Sequence, residues 1–524
     1  MESWESSQDF SREVSWDLLG HLSGCLGDRE RSPTLQGLKI DGDSLGALQG
    51  VCKHWRCPNA GNRPPRILLL AQDPGEFVRG LVLGNALAQR SPLRLFLGNP
   101  DCSIAERRQA IEQIQPHQIW SDRHNPWHGG GIGKGIGEDM DNHPVNGGKF
   151  LKADQSYVGI GTGGSSGKIR FAMHTWGSLR NAVDGFCNYF DDELDGGRAH
   201  SFCTLPLFHV SGLMQLLRCI WSGGVFQWGR LPKSPVQDFS AQGFLAQDFP
   251  IPDFPKPCWQ PEENASPSGF ISLVPTQLAR LLDNSQAIPW LGKFRVILLG
   301  GAPPWADLLE RSRKMQLPIA PTYGMTETAA QVATLKPADF LAGKTGVGYP
   351  LPHVSLEIAH ETPSIVVRGG SLAAGYWQGE AIAPALTTGD LGRFNGGYLS
   401  ILGRRDDVII TGGENVMPQE VEAAILATGV AADVCVVGVP HREWGQQVVA
   451  VWVPQPQRRN STPTLPPKVT PTSSQWQYLL GSRLSRYKHP KLWCQVAQIP
   501  RNSRGKVNRS EIAAQFLSQG QEGQ

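Results

Sequence analysis

The sequence predicts an α/β protein, with a large N-terminal domain of layered sheets and helices that includes a β-rich subdomain, followed by a small C-terminal α/β domain. Three observations support this prediction. Strand and helix patterns alternate from residue 66 onward, short strand patterns separated by turn residues follow residue 348, and a further set of strands and helices follows residue 407. Such alternation is typical of a parallel sheet covered by helices.

The length of 524 residues exceeds that of a usual single domain, so at least two domains are expected. The predicted bounds are 1–405 for the large domain, 406–516 for the small domain, 517–524 for a tail and, within the large domain, 1–65 as an irregular segment, 231–269 as a connector or insertion and 348–405 as the β-rich subdomain.

Charge and composition exclude several classes of partner. The net charge is +2, from 49 basic and 47 acidic residues without a long block of one sign, so neither nucleic acid nor an anionic membrane is expected as a partner. No apolar run is long enough to span a membrane, and the acidic N-terminus does not resemble a signal peptide. We therefore expect a cytoplasmic protein.

The cysteines do not indicate disulfides or a metal centre. The ten cysteines are scattered, which is typical of reduced thiols buried as small apolar groups. Only Cys52 and Cys57, in CKHWRC, resemble part of a metal cluster, and no second Cys/His pair follows at the spacing of a zinc site.

The first elements follow one another clearly. RILLLA (66–71) and LRLFLG (93–98) have the pattern of buried strands, while FVRGLVLGNALAQ (77–89) and SIAERRQAIEQI (103–114) have that of helices, the second opened by Ser103. The segment FAMHTWGSLRNAVDGFCNYF (171–190) is predicted to be helical throughout.

The alternation continues through the second half of the large domain. SFCTLPLFHVSGLMQLLRCIWSGGVFQW (201–228) is predicted to form strand, turn, helix and strand. GFISLVPTQLARLLD (269–283) and FRVILLGGAPP (294–304) resume the strand and helix pattern.

A glycine-rich loop, SYVGIGTGGSSGKIR at 156–170, is the first candidate for binding an anion. Its glycines allow positive φ and close approach of backbone N–H groups, and Thr162, Ser165 and Ser166 add hydroxyl donors, so the loop could wrap phosphate oxygens. It is not a Walker A loop, because Thr162 occupies the first required glycine position and Ile169 follows Lys168. A P-loop kinase is therefore disfavoured.

Four further stretches complete a set of motifs: Pro321–Gln331, Thr388–Asp390, Gly403–Glu422 and Arg483–Arg509. In chain order the motifs are TGGSSGKIR, YGMTET, TGD, GRRDDVIITGGEN and PRNSRGKVNR. Together they resemble the adenylate-forming family of acyl-CoA synthetases, luciferases and peptide-synthetase adenylation domains. The resemblance implies an enzyme that activates a carboxylic acid with ATP and Mg²⁺ and transfers it to coenzyme A, with a mobile C-terminal domain.

The resemblance also implies roles for individual residues. The implied cofactor-binding residues are Thr162, Gly163, Gly164, Ser165, Ser166 and Gly167 for the phosphates, Gly300, Gly301 and Ala302 for the adenine pocket, Tyr323, Gly324 and Met325 for the adenine stack, Asp390 with Arg404 for the ribose, and Gly412, Gly413, Glu414 and Asn415 for the pantetheine channel. The implied catalytic residues are Lys506, Thr326, Glu327 and Arg170, of which Glu327 holds Mg²⁺.

The reaction explains why cations are needed. A carboxylate must approach the α-phosphate of ATP, and both groups are anions. In a site with little water, the repulsion between them amounts to roughly several kcal/mol. The resemblance implies that Lys506 bridges the two groups and that Thr326 donates to the α-phosphate. Arg170 departs from the family pattern, in which Pro and Lys occupy the places of Ile169 and Arg170, so a planar guanidinium replaces a point charge.

Asp406 matches the hinge of the family. Rotation about it is implied to withdraw Lys506 after adenylation and to bring residues 412–415 to the pantetheine channel for thioester formation. Two conformations of one chain would then perform two chemical steps.

Local sequences indicate the acid. YGMTETAAQ, ITGGENVMPQEVE, HREWGQQ and RYKHPKLWCQVAQIPRNSRGKVNR resemble the members of the family that act on 2-succinylbenzoate in menaquinone and phylloquinone synthesis. His209 would lie at the mouth of the acyl pocket and Arg218 would face it, although Arg218 could also be a helix-surface residue. The acid has two carboxylates, of which one is activated, so its site needs a cation for the other.

Two alternatives stay open. Another aryl or short-chain acyl-CoA ligase would share these motifs, and a nucleotide-binding pseudoenzyme would explain the altered loop. The expected partners are a small carboxylic acid, ATP and coenzyme A, and a homo-oligomer is not excluded by the sequence.

Overall fold

The computed structural model describes residues 35–36, 48, 51, 64–122, 151–163, 169–229, 231, 269–455, 471–500 and 507–519. These residues form mixed sheets and helices, which confirms the predicted α/β class. In these ranges no helix is both long and apolar enough to cross a membrane.

The strands are numbered in chain order. They are β1 Leu35–Gln36, β2 Arg66–Leu69, β3 Arg94–Leu97, β4 Gln118–Trp120, β5 Tyr157–Gly163, β6 Ile169–His174, β7 Ser201–Cys203, β8 Phe226–Trp228, β9 Phe270–Leu273, β10 Val296–Leu299, β11 Ile319–Met325, β12 Ala330–Thr334, β13 Tyr349–Pro350, β14 Val354–Ile358, β15 Ser364–Gly369, β16 Gly375–Tyr376, β17 Ala385–Asn395, β18 Tyr398–Arg404, β19 Ile409–Thr411, β20 Glu414–Val416, β21 Ala431–His441, β22 Gly445–Pro454 and β23 Leu492–Gln495.

The helices are numbered in the same way. They are α1 Pro74–Ala88, α2 Ile104–Ile114, α3 Trp176–Tyr189, α4 Val210–Ser222, α5 Pro275–Leu282, α6 Ala287–Leu291, α7 Ala306–Lys314, α8 Pro337–Leu341, α9 Pro418–Leu426, α10 Ser473–Leu480 and α11 Arg509–Gln519, with short 3-10 turns at Asp191–Glu193, Thr326–Thr328, Arg405–Asp407 and Arg486–Lys488.

Two large sheets share one core. The first has the order β1-β8-β7-β9-β10-β11-β12-β13 and is parallel as far as β11; the second has the order β16-β6-β5-β3-β2-β4 and is parallel from β5 to β4. Side chains of both sheets and of helices α3 and α4 belong to a single buried cluster. Strand β10 is buried along its whole length, as expected for a parallel strand covered on both faces.

The β-rich subdomain and the C-terminal unit each have their own sheet. Strands β14, β15, β17 and β18 form an antiparallel sheet in the order β14-β15-β17-β18. In the C-terminal unit, β20-β19-β22-β21 are antiparallel and β23 adds to β22 in parallel. A separate apolar cluster, including Val436, Trp452 and Trp476, lies beneath this sheet. The exact domain bounds remain predictions.

Most of the predicted elements are confirmed, and one is wrong. Helix α2 begins as expected, because Ser103 and Glu106 form a capping box. The segment predicted to be helical throughout instead begins as strand β6, and helix α3 starts only after Thr175, whose side chain accepts from the N–H of Ser178. The candidate residues Gly164, Ser165, Ser166, Gly167 and Lys506 lie outside the described ranges, as do most of residues 1–65 and 231–269.

Candidate functional site

The turn at Thr326–Thr328 is the centre of the candidate site. It joins β11 to β12, which pair with a register shift next to Gly324. A Cβ on Gly324 would lie 1.8 Å from the carbonyl oxygen of Ala330, so only glycine fits where the two strands cross closely. The sequence GMTE therefore forms a sharp bend that presents Thr326 and Glu327 together.

A buried histidine at the end of β6, His174, contacts the main chain of this turn. Nε2 of His174 lies 2.7 Å from the carbonyl oxygen of Thr326, and Nδ1 lies 3.1 Å from Oγ of Ser178. Burial lowers the pKa of His174 to about 4, so the imidazole is neutral near pH 7 and can donate to the carbonyl. Sequence reasoning missed this residue, because its partner lies far along the chain.

Glu327 is the carboxylate predicted to hold Mg²⁺. Glu327 is only 9% exposed, and its Oε1 accepts a hydrogen bond of 2.6 Å from the hydroxyl of Tyr376. Within the described ranges no group of three His, Cys, Asp or Glu residues could form a metal cage. A single carboxylate is nevertheless sufficient for Mg²⁺ that also binds substrate phosphates, so the donor set fits magnesium–ATP.

The predicted adenine and ribose residues meet at the end of the β-rich sheet. The hydroxyl of Tyr323 donates to Oδ2 of Asp390 at 2.8 Å, and Nη1 of Arg404 donates to Oδ1 at 3.1 Å. Asp390 and Arg404 face each other across β17 and β18. Gly389 has no side chain to block the guanidinium, since a Cβ there would lie 2.7 Å from Nη2 of Arg404. Burial, reinforced by Asp390, raises the pKa of Tyr323.

The loop predicted to line the adenine pocket follows β10. Leu299 pairs with Pro321 in parallel, so Gly300, Gly301 and Ala302 leave the sheet beside the strand that carries Tyr323. Gly301 has a φ of +81°, and a Cβ on Gly300 would lie 2.8 Å from Cγ2 of Thr322. The carboxyl ends of neighbouring parallel strands are the usual place for a ligand in such sheets.

The described part of the glycine-rich loop is a pair of strands. Thr162 lies opposite Arg170, and Gly163 lies opposite Ile169, so residues 164–168 connect two antiparallel strands. Both strands lie against the turn at Thr326–Thr328. Thr162, Gly163 and Arg170 thus lie on the two strands that contact this turn.

Arg170 has two neighbours that the sequence did not indicate. Its guanidinium pairs with Glu380 and stacks over the ring of Tyr376, with Cζ 3.5 Å from the ring centroid. The side chain of Arg170 is 40% exposed. In this structure Arg170 therefore contacts the tyrosine that holds Glu327.

Arg218 is buried, which excludes the alternative of a helix-surface residue. The residue is 4% exposed, its Cζ lies 3.7 Å from the centroid of Phe186, and its Nε has no hydrogen-bond partner. Burial lowers the pKa of Arg218 to about 10, so the guanidinium remains charged at neutral pH. No carboxylate of the described residues forms an ion pair with it.

A histidine, His353, packs on helix α3 next to Phe186, the ring that Arg218 contacts. The ring of His353 packs on Gly185, the residue before Phe186, since a Cβ on Gly185 would lie 1.9 Å from its Nδ1. Both ring nitrogens of His353 are buried and have no hydrogen-bond partner among the described residues. Burial, and to a smaller extent Arg218, lower the pKa of His353 to about 4. His209 is the N-cap of α4 and lies against Phe208, with ring centroids 4.4 Å apart.

The predicted pantetheine segment is a tight hairpin. Gly412 and Gly413 have φ of +58° and +83° and connect β19 to β20, as in a type I′ turn. Glu414 and Asn415 follow on β20. An open cleft of about 720 Å³ beside the turn is lined by Val408, Ile410, Gly412, Gly413, Glu443, Trp444, Gly445 and Gln446.

The cleft has an aromatic and cationic side. The ring of Trp444 stacks on that of His441 at 4.6 Å, and Nζ of Lys491 lies 5.5 Å from the centroid of Trp444. An indole face beside an ammonium group suits a ligand with a flat or an anionic part. The sequence motifs included the segment HREWGQQ around Trp444, but they did not show that it lies beside the hairpin.

The residue predicted to be the hinge lies close to the residue predicted to hold the ribose. Asp406 is in the 3-10 turn Arg405–Asp407, and Nη2 of Arg404 lies 3.4 Å from its Oδ2. Arg404 therefore contacts Asp390 and Asp406 at the same time. On the other side of this turn, Arg509 of α11 lies 3.8 Å from Asp407.

Family models match two parts of the chain. A model described as AMP-binding enzyme matches residues 241–377, and one described as AMP-binding enzyme C-terminal domain matches residues 420–506. The 2-succinylbenzoate–CoA ligase of Bacillus licheniformis is 29% identical over 442 residues, which cover 80% of this chain and 84% of the relative. That of Geobacillus kaustophilus is 32% identical over 367 residues, which cover 67% of each chain.

Solved structures have the same fold. The o-succinylbenzoate coenzyme A synthetase of Bacillus subtilis in complex with AMP has a TM-score of 0.68 at 22% identity, covering 95% of this chain and 98% of the other. The same enzyme with its acyl-adenylate intermediate has a TM-score of 0.65 at 23% identity, covering 89% and 92%. With the motifs in their expected order, the matched models and a relative 32% identical across two thirds of its length, this chain belongs to the AMP-binding enzyme family.

Proposed function

We propose that this chain is an AMP-forming acid–thiol ligase that converts 2-succinylbenzoate, with ATP and Mg²⁺, to an acyl-adenylate and then to 2-succinylbenzoyl-CoA. In the first step a carboxylate oxygen attacks the α-phosphorus of ATP and pyrophosphate leaves. In the second step the thiolate of coenzyme A attacks the acyl carbon and AMP leaves. The expected place of the enzyme is in menaquinone or phylloquinone synthesis.

The convergence of Tyr323, Asp390, Arg404 and Glu327 carries the first part of the proposal. These residues come from three separate motifs, and Tyr323, near the end of β11, hydrogen-bonds Asp390 in the middle of β17, while Glu327 lies in the turn that follows β11. The aromatic ring of Tyr323 suits adenine, and the carboxylate of Asp390 with its neighbour Arg404 suits the ribose. The buried carboxylate of Glu327 suits magnesium. Lys506, outside the described residues, is proposed as the cation that bridges acid and α-phosphate.

Arg218 supports the choice of acid. The guanidinium of Arg218 is buried and has no carboxylate partner among the described residues, which is costly unless a ligand supplies the anion. 2-Succinylbenzoate supplies one, because its second carboxylate is not consumed by the reaction. The names of the relatives from Bacillus licheniformis and Geobacillus kaustophilus indicate the same acid.

The hairpin at Gly412–Gly413 supports the second step. Its neighbours Trp444 and Lys491 offer a ring face and a cation beside an open cleft, which suits part of coenzyme A. We propose that this hairpin enters the pantetheine channel after rotation about Asp406. A cytoplasmic location and the oligomeric state stay predictions.

A panel of acids tests the proposed function. Pyrophosphate release is measured with 2-succinylbenzoate, benzoate, a short-chain acid and a long-chain fatty acid, each with and without coenzyme A. We expect release with 2-succinylbenzoate in both conditions and formation of its thioester only when coenzyme A is present. Preference for another acid would point to a different ligase. Binding of ATP without turnover of any acid would instead indicate a pseudoenzyme.

A further inference from the structure

Tyr376 joins two site residues that belong to separate sequence motifs. Its hydroxyl donates to Oε1 of Glu327 at 2.6 Å, and the guanidinium of Arg170 lies over its ring at 3.5 Å. Arg170 also pairs with Glu380, just after Tyr376 in the chain. The ring of Tyr376 is thus covered on one face by a cation while its hydroxyl holds a carboxylate.

The contact between Arg170 and Tyr376 follows from the register of the second sheet. Strands β6 and β16 are antiparallel, with Tyr376 directly opposite Ala172. Arg170 is two residues from Ala172 and therefore points to the same face, as the diagonal neighbour of Tyr376. Long side chains at diagonal positions can reach each other, and an arginine is long and flat enough to stack on the ring.

The main chain around Glu327 is held by hydrogen bonds, so mainly its side chain can change direction. The N–H of Ala373 donates to the carbonyl oxygen of Glu327 at 2.8 Å, and His174 contacts the carbonyl oxygen of Thr326. The direction of the carboxylate then depends on the hydroxyl of Tyr376.

We infer that Tyr376 is a positioning residue that aims the carboxylate of Glu327 at the magnesium of magnesium–ATP, and that Arg170 acts through Tyr376 rather than by contacting a phosphate. This role rests on the proposed function, in which Glu327 is the magnesium ligand. One oxygen of the carboxylate accepts from the hydroxyl, so the other oxygen would be the one that holds the magnesium. Partners behind a ligating carboxylate fix its orientation in this way.

The stack also gives a reason for arginine at position 170. A lysine would place a compact ammonium near Glu380 but could not cover the ring of Tyr376 with a flat surface. Arginine provides both the ion pair and the stack. The change from the usual lysine is therefore a change of task, from direct contact with ATP to support of the magnesium ligand.

Tyr376→Phe tests the first half of this inference, because it keeps the ring and removes the hydroxyl. Binding of a non-hydrolysable ATP analogue to the full chain is measured by calorimetry with Mg²⁺ and, separately, with EDTA. We expect affinity to fall about 10-fold with Mg²⁺ and to stay unchanged with EDTA. Tyr189→Phe is the matched control, since it removes a tyrosine hydroxyl that donates to the carbonyl of Thr334, away from Glu327. The control should alter neither affinity.

Arg170→Ala and Arg170→Lys test the second half. Both should weaken binding only in the presence of Mg²⁺, and Arg170→Ala combined with Tyr376→Phe should bind no more weakly than Tyr376→Phe alone, because both changes act on one chain of contacts. Equal weakening with EDTA would show instead that Arg170 contacts a phosphate directly. Fully additive losses would also overturn the inference.

The binding measurement separates this inference from the proposed function. It needs neither an acid nor coenzyme A. A wild-type chain that binds the magnesium–nucleotide but activates no acid would overturn the ligase assignment alone. Unchanged Mg²⁺-dependent affinity in Tyr376→Phe would overturn the role of Tyr376 alone.

Discussion

At the scale of single residues, Arg218 offers the most direct test of the acid. Its guanidinium is buried against Phe186 without a carboxylate partner in the described structure. Loss of a charged hydrogen bond to the substrate costs about 1.5–3 kcal/mol, which corresponds to roughly 10- to 100-fold. We therefore expect Arg218→Ala to raise KM for 2-succinylbenzoate by this factor and to leave KM for ATP unchanged, as measured by pyrophosphate release.

Two further variants separate substrate binding from folding. Arg218→Met removes a desolvated charge and keeps the apolar volume, so the melting temperature should stay level or rise while KM for the acid increases. Arg94→Ala removes another buried arginine, one that donates to the carbonyl of Lys152 far from Phe186. It should lower stability without changing KM for the acid. An unchanged KM in Arg218→Ala would remove Arg218 from the acyl pocket.

The site residues that could be predicted are those whose sequence neighbours form motifs. Tyr323, Asp390 and Arg404 each lie in a short motif, and the structure brings them within hydrogen-bond distance. Tyr376 and His174 could not be identified in this way, because their roles arise from contacts with Glu327 and Thr326 in a turn that is distant in the sequence. A tyrosine or histidine beside a sheet is usually a packing residue until the register is known.

At the scale of elements, the start of a helix could be predicted where the sequence contains the residues that cap it. Ser103 and Glu106 cap helix α2, and both can be recognised in the sequence. Residues 171–190 are predicted as one helix, but they include the end of strand β6 as well as helix α3, and the polar residues His174 and Thr175 lie at the junction. The boundary is set by Thr175, which caps α3, and by pairing of β6 with β5.

The hairpin at Gly412–Gly413 provides a prediction at this scale. The φ of +83° at Gly413 is strained for any residue with a Cβ, by roughly 1–2 kcal/mol, although no atom would clash with one. We expect Gly413→Ala to slow thioester formation from preformed acyl-adenylate, because the hairpin loses its shape. Pyrophosphate release without coenzyme A should be unaffected.

Gly412→Asn is the matched control for the hairpin. Asparagine tolerates a φ near +58°, and Asn-Gly is a favoured pair in type I′ turns, so this variant should keep both half-reactions. If Gly413→Ala slowed both half-reactions equally, the hairpin would have no separate role in the second step.

At the scale of the whole molecule, the residues proposed to bind the nucleotide and the proposed hinge share contacts. Arg404 bridges Asp390, which is proposed to hold the ribose, and Asp406 in the hinge turn. Arg509 of α11 then connects Asp407 to the partly buried Glu422. A chain of charged contacts thus extends from the ribose site through the hinge to the C-terminal helix, which begins shortly after Lys506. Sequence motifs predicted roles for Asp390, Arg404 and Asp406, whereas the parts of Asp407, Glu422 and Arg509 follow only from the contacts.

Lys506→Ala tests whether the two domains divide the chemistry. The cation is proposed to offset the repulsion between the carboxylate and the α-phosphate, and this repulsion is absent once the acyl-adenylate has formed. We expect pyrophosphate release to fall at least about 100-fold, while conversion of preformed acyl-adenylate to thioester keeps its rate. Lys314→Ala removes a lysine whose side chain is 73% exposed on helix α7 and should change neither rate. Equal loss of both rates in Lys506→Ala would mean that the C-terminal domain supports one conformation for both steps, without rotation about Asp406.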